Sequence, residues 1–101
     1  MKITVQYFDG CPHWQLADAR LRKVLGDISR DDVSVDYQLI DSPDTAVRVG
    51  FRGSPSILVD GIDPFATGAE PIGMSCRVFR TEAGFQGAPS EAQLREVLRT
   101  G

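Results

Sequence analysis

The spacing of apolar positions changes several times along this chain, and each change marks an element. Ile3, Val5 and Tyr7 alternate with Thr4 and Gln6, Phe8 extends the run, and Asp9-Gly10 closes it, which predicts a buried strand ending in a turn. The period then lengthens. Trp14, Ala17, Leu21, Val24, Leu25 and Ile28 fall on one stripe, with Asp18, Arg20, Arg22 and Lys23 opposite. A helix is therefore predicted from Pro12, whose ring suits a first turn, with fraying at Gly26 and Asp27. At Val33, Val35, Tyr37 and Leu39 the spacing returns to two, as in a half-buried strand.

Ser42 as N-cap, Pro43 at the first helical position and Gly50 as terminator predict a helix of about two turns with Ala46, Val47 and Val49 available to pack. In G-S-P-S-I-L-V-D-G, Gly53 to Gly61, the run Ile57-Leu58-Val59 is continuously apolar and suits a central strand. Cys76 to Arg80 is a predicted fourth strand. Ser90-Glu91-Ala92-Gln93 is a capping box that opens a last helix, with Leu94, Val97 and Leu98 inward. Residues 61–75 are too long for a hairpin loop and are expected to lie on the body of the domain, as a lid.

The order strand, helix, strand, helix, strand, strand, helix predicts an α/β fold. A right-handed crossover makes the first two strands parallel and the last two pair as a hairpin, giving one mixed four-stranded sheet with helices on both faces. The 101 residues fit a single domain, 1–101, large enough for a core without disulfides or metal.

Composition narrows the function. With 42% hydrophobic and 25% charged residues and a net charge of -3, the chain is ordinary for a globular domain and offers no basic field for nucleic acid or an anionic membrane. Lys2 is followed by alternating residues rather than an apolar run, so neither a signal peptide nor a membrane span is expected, and the cytoplasm is the expected location. Cys11 and Cys76 are then expected as reduced thiols.

The chemistry centres on C-P-H-W, Cys11 to Trp14. A cysteine at a helix start faces unpaired N–H groups and the positive end of the helix dipole, which favour thiolate, the nucleophilic form. His13 beside it reads first as a solvent-facing helix residue, with support of the thiolate when protonated as the alternative; as the sole histidine it excludes ordinary metal-site spacing, and no metal is expected. Trp14 begins the apolar stripe and is expected to pack, with a platform beside the sulfur as the alternative.

A Cys-Pro-x-x stretch at the first strand-to-helix turn, a Ser-Pro before the third strand and this order of elements resemble the thioredoxin-like family over essentially the whole chain. More narrowly, G-C-P-x-W, F-R-G-S-P, V-D-G-x-D-P-F and S-C-R-V resemble small bacterial thioredoxin-like proteins, some of which carry an alkylmercury-lyase label. The resemblance implies a cis Ser54-Pro55 bond facing Cys11 and a Ser54 backbone offered to an extended substrate or to glutathione. Pro12, His13 and Trp14 would flank the groove, and Thr81 and Glu82, read first as ordinary turn residues, would in the alternative contact the far end of a ligand. It also implies thiol–disulfide exchange with Cys11 as nucleophile.

This chain departs from the family where it matters most, since Trp14 stands in place of the second thiol. That substitution leaves a monothiol route in which an external thiol resolves the mixed disulfide. No resident cofactor is expected; glutathione would enter as co-substrate, and the partners would be protein or low-molecular-weight disulfides. In the family's sheet Cys76 would lie about four strand residues, or about 13 Å, from Cys11, beyond bridging distance, and is expected as a small core residue. Two further readings stand beside exchange: a non-catalytic binding module on the same fold, and handling of a soft metal such as mercury, which needs Cys11 and Cys76 close together.

Overall fold

Why the first strand becomes the centre of the sheet is explained by its neighbours. A computed structural model describes residues 1–30 and 32–100. In it β1 (Lys2–Tyr7) pairs parallel with β2 (Ser34–Leu39), Lys2 opposite Ser34 and Tyr7 opposite Leu39. On its other side β1 pairs antiparallel with β3 (Ser56–Val59), Ile3 opposite Val59 and Gln6 opposite Ser56. Between these strands run α1 (Trp14–Ile28) and α2 (Pro43–Val49), and the chain ends with β4 (Phe79–Thr81), β5 (Gly84–Gln86) and α3 (Glu91–Thr100). The architecture is α/β with a mixed sheet of order β2-β1-β3.

The predicted four-stranded sheet is not what forms: β4 pairs antiparallel with β5 in a separate two-stranded hairpin. The reason lies just after β3. Asp60 at φ 50° and Gly61 at φ 84° turn the chain tightly, and Val59 exchanges both backbone hydrogen bonds with Ile62. The next segment then travels back to the other end of β3, where Ser75–Arg77 runs parallel to Gly53–Pro55 around the pairing of Ser54 with Cys76. A chain arriving at that end cannot continue as the antiparallel partner of β3. Among the described strands β3 therefore has β1 as its sole ladder partner, not the central position its apolar run suggests. Its flank is covered instead by Arg77, whose guanidinium donates to Ser56 Oγ.

Ile3, Val5 and Ile57 form a sheet face that is fully covered by Ala17, Leu21 and Val24 of α1 and Leu94 and Leu98 of α3. These helices pack on each other. The start of α3 is the predicted capping box, Gln93 N–H donating to Ser90 Oγ and Ser90 N–H to Gln93 Oε1. The start of α2 is likewise the predicted Ser42 cap, bonded from Thr45 N–H. The shorter α2 contributes Ala46 to a second, smaller cluster with Ile40 and Phe51, against which Phe8 packs edge-on. Phe8 and Ile40 have the opposite strand parity to Ile3, Val5 and Val35, so this cluster belongs to the other side of the sheet. Among the described residues no helix is long and apolar enough to cross a membrane.

Candidate functional site

The β1–α1 turn carries the first thiol. Gly10 at φ 93° reverses the chain and Cys11 N–H donates to Phe8 O, while Pro12 and His13 form a turn. The helix starts at Trp14 with His13 as N-cap, two residues later than predicted, so Pro12 lies exposed outside it. No hydrogen bond from the His13 side chain caps this end, and its first turn carries no acidic residue. Cys11 itself is 4% exposed, and its Sγ donates to Ser54 O at 3.5 Å. The Ser54–Pro55 bond is cis.

The second thiol is where sequence reasoning did not put it. Cys76 is exposed rather than a core residue, and it lies opposite Ser54, the residue whose carbonyl receives the Cys11 thiol. The expected separation of about 13 Å assumed an antiparallel β3–β4 hairpin; the parallel return of the chain removes that premise. Burial pushes the Cys76 thiol above its ordinary value of 9.0, and the charge of Cys11 and a hydrogen bond with it push the same way. Because Cys76 is solvent-exposed as a residue, the interaction with Cys11 is the feature particular to this place.

Three features hold residues 75–77 there. Ser54 N–H donates to Ser75 O at 2.8 Å and Arg77 N–H to Ser54 O at 2.9 Å. Gly53, at φ 107°, lets the two backbones approach: a Cβ on it would lie 3.0 Å from Ser75 O and 3.2 Å from Arg77 Cβ. Arg77 then forms a buried ion pair with Asp63 of the long loop, their side chains 2% and 3% exposed, and its guanidinium lies 4.7 Å from the centre of the Phe79 ring. Apart from Ser54, the sequence analysis gave these residues no role beyond their places in F-R-G-S-P, V-D-G-x-D-P-F and S-C-R-V. The available signals were a glycine immediately before Ser54-Pro55 and an arginine between Cys76 and Val78 in an apolar stretch.

The backbone of Ser54, which the resemblance offered to an extended ligand, is thus engaged by the chain's own Ser75 and Arg77. Its side chain is fully buried, and among the described residues Oγ has no hydrogen-bond partner. The His13 ring packs against the backbone of Gly87, where a Cβ would come within 2.3 Å of its Cγ. Trp14 stacks on Tyr7 with ring centres 4.3 Å apart and meets Tyr37 edge-on. Thr81 Oγ1 bonds the Gly84 carbonyl inside the β4–β5 turn. Glu82 accepts a hydrogen bond from Ser90 Oγ, beside the start of α3.

A cavity of about 280 Å³ opens between the long loop, the hairpin and α3, lined by Phe65, Phe79, Arg80 and Phe85 among others, and by neither cysteine. Among the described residues no three His, Cys, Asp or Glu side chains converge as metal ligands. Comparison with protein-family models, with curated proteins and with solved structures finds no match for this chain. Two thiols can in general attack a disulfide or capture a soft cation.

Proposed function

We propose that this protein carries out thiol–disulfide exchange, with Cys11 as the nucleophile and a thioredoxin-like scaffold presenting it. The observation that carries the reading is the seat of the sulfur. Cys11 Sγ lies just ahead of a helix start that its N-cap side chain leaves open, against the carbonyl that precedes Pro55. The order β2-β1-β3, with β1 parallel to β2 and antiparallel to β3, supports the scaffold, while the separate hairpin departs from the four-stranded pattern.

In the reaction the Cys11 thiolate attacks one sulfur of a disulfide, forming a mixed disulfide and expelling the other sulfur as thiolate. Low-molecular-weight disulfides fit better than an extended peptide, because residues 75–77 fill the backbone positions beside Ser54. Glutathione is the external thiol that C-P-H-W requires for turnover, and a reducing cytoplasm suits two free thiols. Glutathione-dependent reduction of hydroxyethyl disulfide, coupled to glutathione reductase, tests the reading. Cys11→Ser is expected to reduce the rate to the uncatalysed background; an unchanged rate would leave a binding module on this fold as the better account.

The meeting of Cys11 with Cys76 favours a second reading, capture of a soft cation such as mercury between two thiolates. Stoichiometric Hg(II) uptake that needs both cysteines, in a protein inert towards disulfides, would select it.

A further inference from the structure

We infer that Cys76 is the resolving thiol of the exchange reaction, so that the protein closes an internal Cys11–Cys76 disulfide and works as a dithiol couple despite having Trp14 where a second motif cysteine would stand. The inference rests on Cys11 being the exchange nucleophile and adds the identity of the group that completes its cycle.

The geometry is built by parts far apart in sequence. Ser54 touches both thiols' surroundings: its carbonyl receives the Cys11 Sγ, and its Cα is the register partner of Cys76. Two backbone hydrogen bonds on either side of Cys76, the side-chain-free Gly53 and the buried Arg77–Asp63 pair at the next residue fix the position of that segment. A thiol held this way attacks a neighbouring sulfur at a high effective concentration, whereas glutathione must diffuse in. Exposure bears on the return step, because Cys76 is solvent-exposed whereas Cys11 is 4% exposed, so an external thiol reaches Cys76 first. Cys76 attacks as its thiolate, so the resolving step accelerates as pH rises.

The cycle balances. Cys11 thiolate attacks R–S–S–R′, giving Cys11–S–S–R and R′S⁻. Cys76, having lost its proton to solvent, attacks Cys11 Sγ, giving Cys11–S–S–Cys76 and RS⁻, so two electrons pass from the protein to the substrate. For return, one glutathione thiolate attacks the exposed Cys76 Sγ and frees Cys11. A second attacks the glutathione sulfur, frees Cys76 and leaves as oxidised glutathione.

The test is intact-mass analysis of the reduced protein after exposure to oxidised glutathione and quenching with iodoacetamide, for the unaltered chain, C11S, C76S and C76A. The unaltered chain is expected to lose two hydrogens with only a transient adduct. C76S and C76A are expected to hold one glutathione on Cys11, lasting longer by a factor on the order of 100. Adducts of equal lifetime on Cys11 in the unaltered chain and both Cys76 variants would overturn the role of Cys76 while leaving exchange at Cys11 intact. An adduct formed on Cys76 in C11S but none on Cys11 in C76S and C76A would overturn the assignment of roles. Neither adduct nor disulfide in any form would overturn the exchange reading along with it.

Discussion

Two residues that the sequence shows only as members of V-D-G-x-D-P-F and S-C-R-V hold the thiol site in place. Asp63 and Arg77 are buried together, and Arg77 also donates to Ser56 Oγ and lies over Phe79. Removing one charge of such a pair leaves the other buried and uncompensated, so Asp63→Asn is expected to destabilise the fold by about 3 kcal/mol in urea unfolding. Asp63→Leu combined with Arg77→Met should recover most of that loss. A D63N chain as stable as the unaltered one would show that the pair contributes little. At the same scale, Cys76 titrates above 9.0 because of burial and of Cys11. Its alkylation rate is therefore expected to rise with a midpoint above 9.0, and in C11S the midpoint should fall towards the ordinary value. An identical midpoint in both chains would separate the two thiols.

At the scale of elements, the parallel contact between Gly53–Pro55 and Ser75–Arg77 is the feature on which the site depends. It needs a residue that accepts φ 107° and presents no Cβ to Ser75 O. Gly53→Ala is expected to cost about 2 kcal/mol in unfolding experiments and to loosen residues 75–77, which faster alkylation of Cys76 would report. The helices are held by a different device. Arg20 of α1 donates to Gln86 Oε1 and to the Pro89 and Ala88 carbonyls, clamping the β5–α3 connection onto α1. The same connection supplies Gly87, against which His13 packs, so the N-cap of α1 and the approach to α3 form one surface.

Over the whole molecule, acid is expected to act through two carboxylates, exposed Asp32 and half-buried Glu70. Hydrogen bonds from Thr67 to Glu70, and from Arg30 to Asp32, hold both groups down to about 2 in the folded chain. A carboxylate lowered by folding stabilises the native state above its ordinary value, here 4.5 for Glu70 and 3.8 for Asp32, and that contribution fades as pH falls towards 2. The melting temperature should accordingly decline between about pH 4.5 and 2. Glu70→Gln and Asp32→Asn should each flatten the decline, and added salt should weaken the effect. A decline unchanged in both variants would assign the acid sensitivity elsewhere.

Much of this protein was determined by local pattern. The alternation at Ile3, Val5 and Tyr7, the stripe from Ala17 to Ile28, the Ser42-Pro43 start and the Ser90 capping box each specify an element through interactions a few residues long. The seat of Cys11 at a strand-to-helix turn is local in the same sense. The place of Cys76 is not. It depends on which end of β3 the long loop returns to, and that depends on Asp60-Gly61 turning the chain, Gly53 admitting a second backbone and Asp63 meeting Arg77 across 14 positions. No periodicity encodes such contacts, because each gains its energy only when distant segments are already packed together. Local interactions thus specify most of the elements and the seat of one thiol, whereas β5 and the placing of Cys76 opposite Ser54 follow only from long-range packing.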